Sequence, residues 1–156
     1  RRVPSNRRRN LSLLAIISNV KVMNYKLLSG PYNTENFLAF LNDCFLQNIF
    51  EPNSILIMDN VKFHHSDSVK RFLQERNINF KYLPAYSPSL NPIEEVFSAL
   101  KARYTSYRPR PTSINEMCEL LNTLISFMND NDSFNFQNLY FHMHEFVRKA
   151  YNREQF

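Results

Sequence analysis

Leu, Ile and Val crowd LSLLAIISN (11–19) and VKVMNYKLL (20–28) before Gly30-Pro31, a pattern that predicts two adjacent strands and a turn. The period then lengthens. In TENFLAFLNDCFLQNIF (34–50), Phe37, Leu41, Cys44, Phe45 and Ile49 recur at helical spacing behind Thr34, which is read as the cap of an amphipathic helix. The run Ile55–Met58 is apolar without alternation and too short for a helix, as expected of a central strand covered on both faces, and it stops at Asp59. Ser66 caps a further helix with Val69, Phe72 and Leu73 as its inner stripe, and NFKYLP (79–84) reads as another strand. Asn91 as cap and Pro92 as first residue open a helix on which Val96, Phe97, Leu100 and Tyr104 gather around Ile93. The order β-β-α-β-α-β-α predicts an α/β domain, a mixed sheet with helices against its faces.

After the loop SYRPRPTS (106–113) come two more helices. The first has Ser113 and Glu116 in capping-box spacing, with Ile114, Met117, Leu121, Leu124, Ile125 and Met128 on one face; the second, about 136–151, aligns Leu139, Tyr140, Met143, Phe146, Val147 and Ala150. These stripes are read as packing surface without chemistry. Residues 1–106 are taken as the main domain and 107–156 as a helical extension packed on it.

Composition bounds what such a domain does. With 44% hydrophobic residues in 156, the chain buries one substantial core. Nineteen Lys and Arg against fourteen Asp and Glu give +5, which suits a polyanionic partner. RRVPSNRRRN places five arginines in ten residues, either as a solvated terminus or as a phosphate-contacting or nuclear-import segment. Cys44 and Cys118 stand in no metal-ligand spacing, consistent with a reducing compartment. No apolar run reaches the roughly 18 residues of a membrane span, and the expectation is a soluble intracellular protein, the Asn10 and Asn131 sequons being chance matches. Because it begins at Arg1, the chain is read as a piece of a longer one.

Two positions stand out chemically. Asp59 ends a buried strand, where open α/β sheets tend to place ligands, although Asp-Asn also simply starts a turn. Glu94 and Glu95 are separated by helical phase: at about 100° per residue, Glu94 lies on the flank of the buried stripe and Glu95 points at solvent. Glu94 also falls three residues after Asn91, where it could close a capping box instead. Carboxylates from a strand end and a neighbouring helix suit Mg²⁺ or Mn²⁺, which prefer oxygen ligands. Histidine metal sites are not expected: His142 and His144 face different ways on their helix, and His64 and His65 are read as polar loop or helix-start residues. A glycine-rich phosphate loop and a nucleophile elbow are absent from the sequence.

Thirty-four residues separate Asp59 from Glu94. Together with Asp59-Asn60 followed by His64, then Pro84, Tyr86-Ser87-Pro88, Leu90-Asn91-Pro92-Ile93-Glu94 and Leu100-Lys101, this resembles the catalytic domain of the Tc1/mariner and IS630 superfamily of DDE transposases over roughly residues 7–106. The resemblance implies an RNase H-like fold and metal-dependent cleavage and joining of DNA at transposon ends. It assigns Asp59 and Glu94 as the second and third acidic residues of a triad that binds two Mg²⁺ (or Mn²⁺) ions. Asn60, His64 and Asn91 would be supporting residues, and Arg7, Arg8, Arg9 and Lys101 candidate phosphate contacts.

There are departures. Phe97 stands where the family commonly has tryptophan, and the family's first aspartate, on a strand upstream of residue 11, has no counterpart, Glu35 being the earliest acidic residue. The leading expectation is thus a transposase fragment, inactive without that aspartate; a decayed or domesticated DNA-binding relative is the alternative, and another RNase H-like nuclease the third reading. Implied partners are transposon-end and target DNA and a second copy of the chain, with no membrane and no small-molecule cofactor. The implied location is the nucleus in a eukaryote, or the cytoplasm and nucleoid in a bacterium.

Overall fold

The computed structural model describes residues 11–130 and 134–151. Strands β1 (Leu11–Ile17) and β2 (Val22–Ser29) pair antiparallel, from Leu11 opposite Ser29 to Ile16 opposite Asn24, with a register shift that sets Ile17 opposite Val22. Their apolar alternation serves two cores at once. Leu13, Ala15 and Ile17 pack with Val22 against the C-terminal helices, whereas Leu14 and Ile16 pack against helix α1 (Thr34–Leu46).

Helix α1 is capped one residue earlier than expected, by Asn33, whose side chain accepts from the Asn36 N–H at 2.9 Å. Two capping residues stand side by side, and periodicity does not choose between them. The helix also ends at Leu46, four residues short of the expected end, in a Schellman closure: Ile49 N–H reaches Cys44 O at 3.1 Å and Asn48 N–H reaches Phe45 O at 3.0 Å. Phe37, Phe40, Leu41 and Cys44 are buried, and burial pushes the Cys44 thiol up to about 11. Both cysteines are free, and Phe45, expected on the inner stripe, is 39% exposed.

A second sheet pairs β3 (Ile55–Met58) with β4 (Asn79–Tyr82) in parallel, Ile55 opposite Asn79 through Met58 opposite Tyr82. Between them run a short 3₁₀ turn, Lys62–His65, and helix α2 (Asp67–Glu75), capped by Ser66 as the sequence indicates. Val69 and Leu73 are fully buried beneath α1. The expectation that β3 is covered on both faces fails: Ile55 and Ile57 are 52% and 47% exposed. Among the described residues β3 has one strand neighbour, β4, and β1 has one, β2, so each keeps an unpaired edge.

Helix α3 (Ile93–Ser106) buries Val96 and Leu100. Helices α4 (Ile114–Asp130) and α5 (Phe136–Tyr151) complete the first core with Ile125, Met128, Phe136 and Leu139, while Val147, expected on the inner stripe, is 46% exposed. Asn129 fastens α4 to the sheet, accepting from Val22 N–H at 2.9 Å and donating to Val22 O at 3.1 Å. At the start of α4 the Ser113 hydroxyl accepts from Glu116 N–H, but the Glu116 carboxylate reaches the N–H of Thr112, one residue before the cap.

One glycine serves the whole chain, and among the described residues asparagine takes all but one of the other left-handed positions. Asn77 (φ 55°) closes α2 as Asn48 (φ 54°) closes α1, with Ile78 N–H on Leu73 O at 2.9 Å and Asn77 N–H on Gln74 O at 3.1 Å. A left-handed L-residue costs roughly 1–2 kcal/mol, which asparagine and glycine largely avoid. Asn77→Ala should therefore lose about 1 kcal/mol in urea unfolding, and Asn77→Gly should lose almost none.

Candidate active site

Asp59 follows the last residue of β3, and the chain turns there because Val61 begins the short 3₁₀ turn. That turn brings His64 back beneath the strand end. The imidazole is buried, 4.2 Å from the Phe37 ring and 4.5 Å from the Phe63 ring, and Tyr82 donates to its backbone carbonyl at 2.8 Å. His64 Nδ1 lies 2.8 Å from Asp59 Oδ1 and 3.2 Å from the Asp59 backbone oxygen. Protonated at Nδ1, the ring directs its N–H at the backbone oxygen, so Oδ1 is buried and polarised by the ring yet accepts no well-aligned hydrogen bond. The contact with His64 is the largest influence holding the Asp59 carboxyl below the usual carboxylate range; burial opposes it, while the His64 charge and the Val61 N–H assist.

Asn60 and His65 form a neighbouring pair, with the His65 ring Nε2 in contact with Asn60 Oδ1 and the ring stacked on Tyr82 at 3.9 Å. The two histidines lie in the turn that leads into α2, in keeping with helix-start residues, and they also fix the Asp59-Asn60 corner. The sequence signal for this was the five-residue return from Asp59 to His64; periodicity could not show that Phe37 and Phe63 would bury the ring.

Glu94 is reached from this corner through a single loop. Leu83 N–H donates to Met58 O at 2.8 Å, tying the loop's start to the residue before Asp59. Pro88–Leu90 form a 3₁₀ turn, Asn91 N–H reaches Pro88 O at 2.9 Å, and Glu94 N–H reaches Asn91 O at 3.1 Å. Asn91 thus ends the turn; it does not cap α3, whose first turn carries no side-chain cap. The capping-box alternative for Glu94 falls with it. Glu94 is exposed, and among the described residues no hydrogen bond or ion pair engages its carboxylate.

Glu95 is exposed, as the sequence suggested, and meets His142 of α5 at the surface, with Oε1 and Nδ1 3.5 Å apart. Helical phase separates the two glutamates as the sequence suggested, but the partner on α5 depends on tertiary packing. A pocket of about 240 Å³ lies here, lined by Pro88, Ser89, Asn91, Glu94, Glu95, Ser98 and Phe146. Another, of about 200 Å³, sits at the opposite end of β3 and β4, among Ser54, Arg76 and Asn79, away from Asp59. Lys101 is exposed two turns along α3 from Glu94, and Arg7, Arg8 and Arg9 lie outside the described residues.

An antiparallel pair and a parallel pair beneath one helix, with further helices on the opposite face, make an RNase H-like α/β domain, as the sequence led us to expect. The DDE superfamily endonuclease family matches residues 1–118 of the 156, and the chain belongs to that family. No curated protein matches the sequence. Among solved structures, the catalytic domain of Mos1 mariner transposase superposes with a TM-score of 0.77 at 18% identity, over 92% of this chain and 74% of that one. The Mos1 catalytic domain with Raltegravir and Mg gives 0.76 at 17%, over 92% and 75%. The Mos1 paired-end complex with left transposon end gives 0.72 at 19%, over 96% of this chain and 44% of that one, so this chain spans less than half of that protein. At these identities the likeness establishes the fold, that of a mariner transposase catalytic domain.

The depressed Asp59 carboxyl makes the site's acid response specific. A folded-state value below the unfolded one adds stability above the unfolded pKa and loses it as pH falls through the folded value. His64→Ala should raise the Asp59 pKa towards the ordinary value, read by carboxyl NMR titration. The stability gap between wild type and variant should narrow as pH drops through the wild-type Asp59 titration, leaving only the pH-independent packing loss.

Proposed function

We propose that this chain contributes two of three catalytic carboxylates, Asp59 and Glu94, to a Tc1/mariner-type DNA transposase that cleaves and joins strands at transposon ends. The observation that carries the reading is the single loop, tied to Met58 O beside Asp59 and closed by Asn91 before Glu94, that joins the two carboxylates, one of which has a buried oxygen with no well-aligned donor. Membership of an endonuclease family supports it, as does a neighbour holding a transposon end.

The donor chemistry fits a hard divalent cation. Asp59 Oδ1 is shielded from water and accepts no well-aligned hydrogen bond although His64 Nδ1 lies 2.8 Å away, a deficit that a cation would remove, and Glu94 would add a second oxygen ligand. Among the described residues no three His, Cys, Asp or Glu side chains converge, so the ligand set here is two carboxylates at most. Mg²⁺ or Mn²⁺, as two ions in a complete site, would supply activation of the attacking oxygen and neutralisation of the leaving one. The similar Mos1 catalytic domain with Raltegravir holds Mg, which supports this choice.

His64 keeps the Asp59 carboxylate oriented and anionic, Asn60 holds the corner through His65, and Asn91 sets the angle at which α3 delivers Glu94. Lys101 and the Arg7–Arg9 cluster would meet DNA phosphates and position the duplex without reading its sequence. Residues 1–106 form the catalytic body in this reading, and 107–156 the helical layer over it, with a nuclear location in a eukaryotic host and a dimer as the working form. No helix among the described residues is long and apolar enough to cross a membrane.

The third carboxylate belongs, in this reading, on a strand paired to the open edges of β1 and β3. Both strands have central-strand sequences, LSLLAII and ILIM, yet each lacks a second neighbour among the described residues. Leu14 and Ile16 of β1 pack in the same cluster beneath α1 as Leu56 and Met58 of β3, so one helix roofs both sheets. The half-exposed Ile55 and Ile57 are the surface such an arrangement would leave to be covered.

The test is Mn²⁺-dependent nicking of transposon-end DNA by this chain extended upstream to include such a strand. Asp59→Asn and Glu94→Gln should reduce cleavage to background while Glu95→Gln retains it. DNA binding should weaken steeply with salt in all four proteins. Binding without nicking in the extended wild type would favour a non-catalytic DNA-binding relative, and loss in Glu95→Gln alone would overturn the assignment of Glu94.

A further inference from the structure

Tyr86 has backbone geometry that its side chain disfavours. Its φ is +58°, in the left-handed region, where the chain otherwise places Asn48, Asn53, Asn77 and Gly30. For a bulky residue that region is strained, and strain of this kind persists only where the surroundings impose it or function exploits it. Packing offers no compensation, since Tyr86 is 101% exposed. The ring is held in solvent by a loop that asparagine or glycine would form more comfortably.

That loop is firmly placed. Prolines 84, 88 and 92 restrict it, Leu83 N–H anchors its start on Met58 O beside Asp59, and Leu90 N–H on Ser87 O (3.1 Å) with Asn91 N–H on Pro88 O (2.9 Å) fixes its end before Glu94. A flat aromatic face therefore projects from the segment linking the two candidate metal ligands. Among the described residues its ring has no aromatic neighbour, unlike His65 and Tyr82, which stack on each other.

We propose that Tyr86 is a stacking platform for an unpaired nucleobase next to the phosphodiester held at Asp59 and Glu94. The proposal rests on the DNA-cleaving reading above. Chemistry favours a base over a phosphate, because a neutral phenol offers an anion one hydrogen bond but offers a nucleobase a whole π-face. It favours an unpaired base over a duplex stack, because a single projecting ring reaches a base face only where the base is not already covered on both sides.

The test compares wild type with Tyr86→Phe, Tyr86→Asn and Tyr86→Ala on two oligonucleotides, a blunt duplex and the same duplex with a short 3′ overhang carrying 2-aminopurine. Base-on-aromatic stacking corresponds to about 5- to 150-fold in affinity. The asparagine and alanine variants should lose that factor on the overhang substrate only, with loss of 2-aminopurine quenching, and Tyr86→Phe should behave as wild type. Tyr86→Asn should also unfold at the same or a higher urea concentration, because it suits the left-handed backbone; that separates lost stacking from damaged folding. Equal affinity of wild type and Tyr86→Asn for the overhang would overturn the platform and leave the proposed function intact. An equal loss on both substrates would also overturn it, in favour of a backbone contact. No DNA binding by the wild type would overturn the DNA-cleaving reading and the platform with it.

Discussion

Side-chain alternation along β1 is the constraint that binds this fold together. Leu14 and Ile16 face α1 and the β3–β4 side, while Leu13, Ala15 and Ile17 face α3, α4 and α5. One seven-residue strand thus forms a wall of both hydrophobic cores. A slip of one residue would exchange the two sets, because side chains in a strand alternate with period two. The register with β2, the seat of α1 and the docking of α4 through Asn129 on Val22 all presuppose the observed phase. The two sheets share no strand pairing among the described residues, so the core beneath α1, which takes side chains from both, unites them.

The candidate site inherits its geometry from that arrangement. Phe37 belongs to the face of α1 that seats on the second core, and the same ring packs on His64, which in turn restrains Asp59. A buried apolar helix face is therefore one contact away from the candidate carboxylate ligand. On the other side, α3 is held by Val96 and Leu100 in the first core, which sets its rotation. That rotation gives Glu95 to His142 and leaves Glu94 towards the loop. Each candidate ligand is positioned by a different core, and β1 sets the relation between the two cores.

Much of this was legible in the sequence, for physical reasons that differ from element to element. The order of elements, the Ser66 cap and the Asp59 strand end follow from local periodicity and local chemistry, and all are seen. The start of α1 was missed by one residue because Asn33 and Thr34 are both competent caps. Its end was missed because Ile49 does pack on the core, but across a Schellman turn and not on a continuing helix. The cover expected on both faces of β3 is a property of neighbours, and the local sequence ILIM has no way to say whether they are present. The burial of His64 and the His142 partner of Glu95 are likewise tertiary events. The left-handed conformation of Tyr86 lies deeper still, since propensity argues against it and only the closed loop from Leu83 to Asn91 imposes it.

Glycine scarcity links these observations to the chemistry proposed. A phosphate cradle of backbone N–H groups generally needs glycines, which let the backbone turn and approach the anion closely. With Gly30 as its only glycine, at the turn after β2, this chain has none near Asp59 or Glu94 along the sequence. Its other left-handed positions are filled by asparagines that close helices or turns, and by Tyr86. In the proposed reading, phosphate charge is then met by metal ions on carboxylates and by lysine and arginine side chains, neither of which requires the backbone to approach the substrate. A loop free of that duty can be stiffened with three prolines and can carry a protruding ring, and the segment from Pro84 to Pro92 has both features.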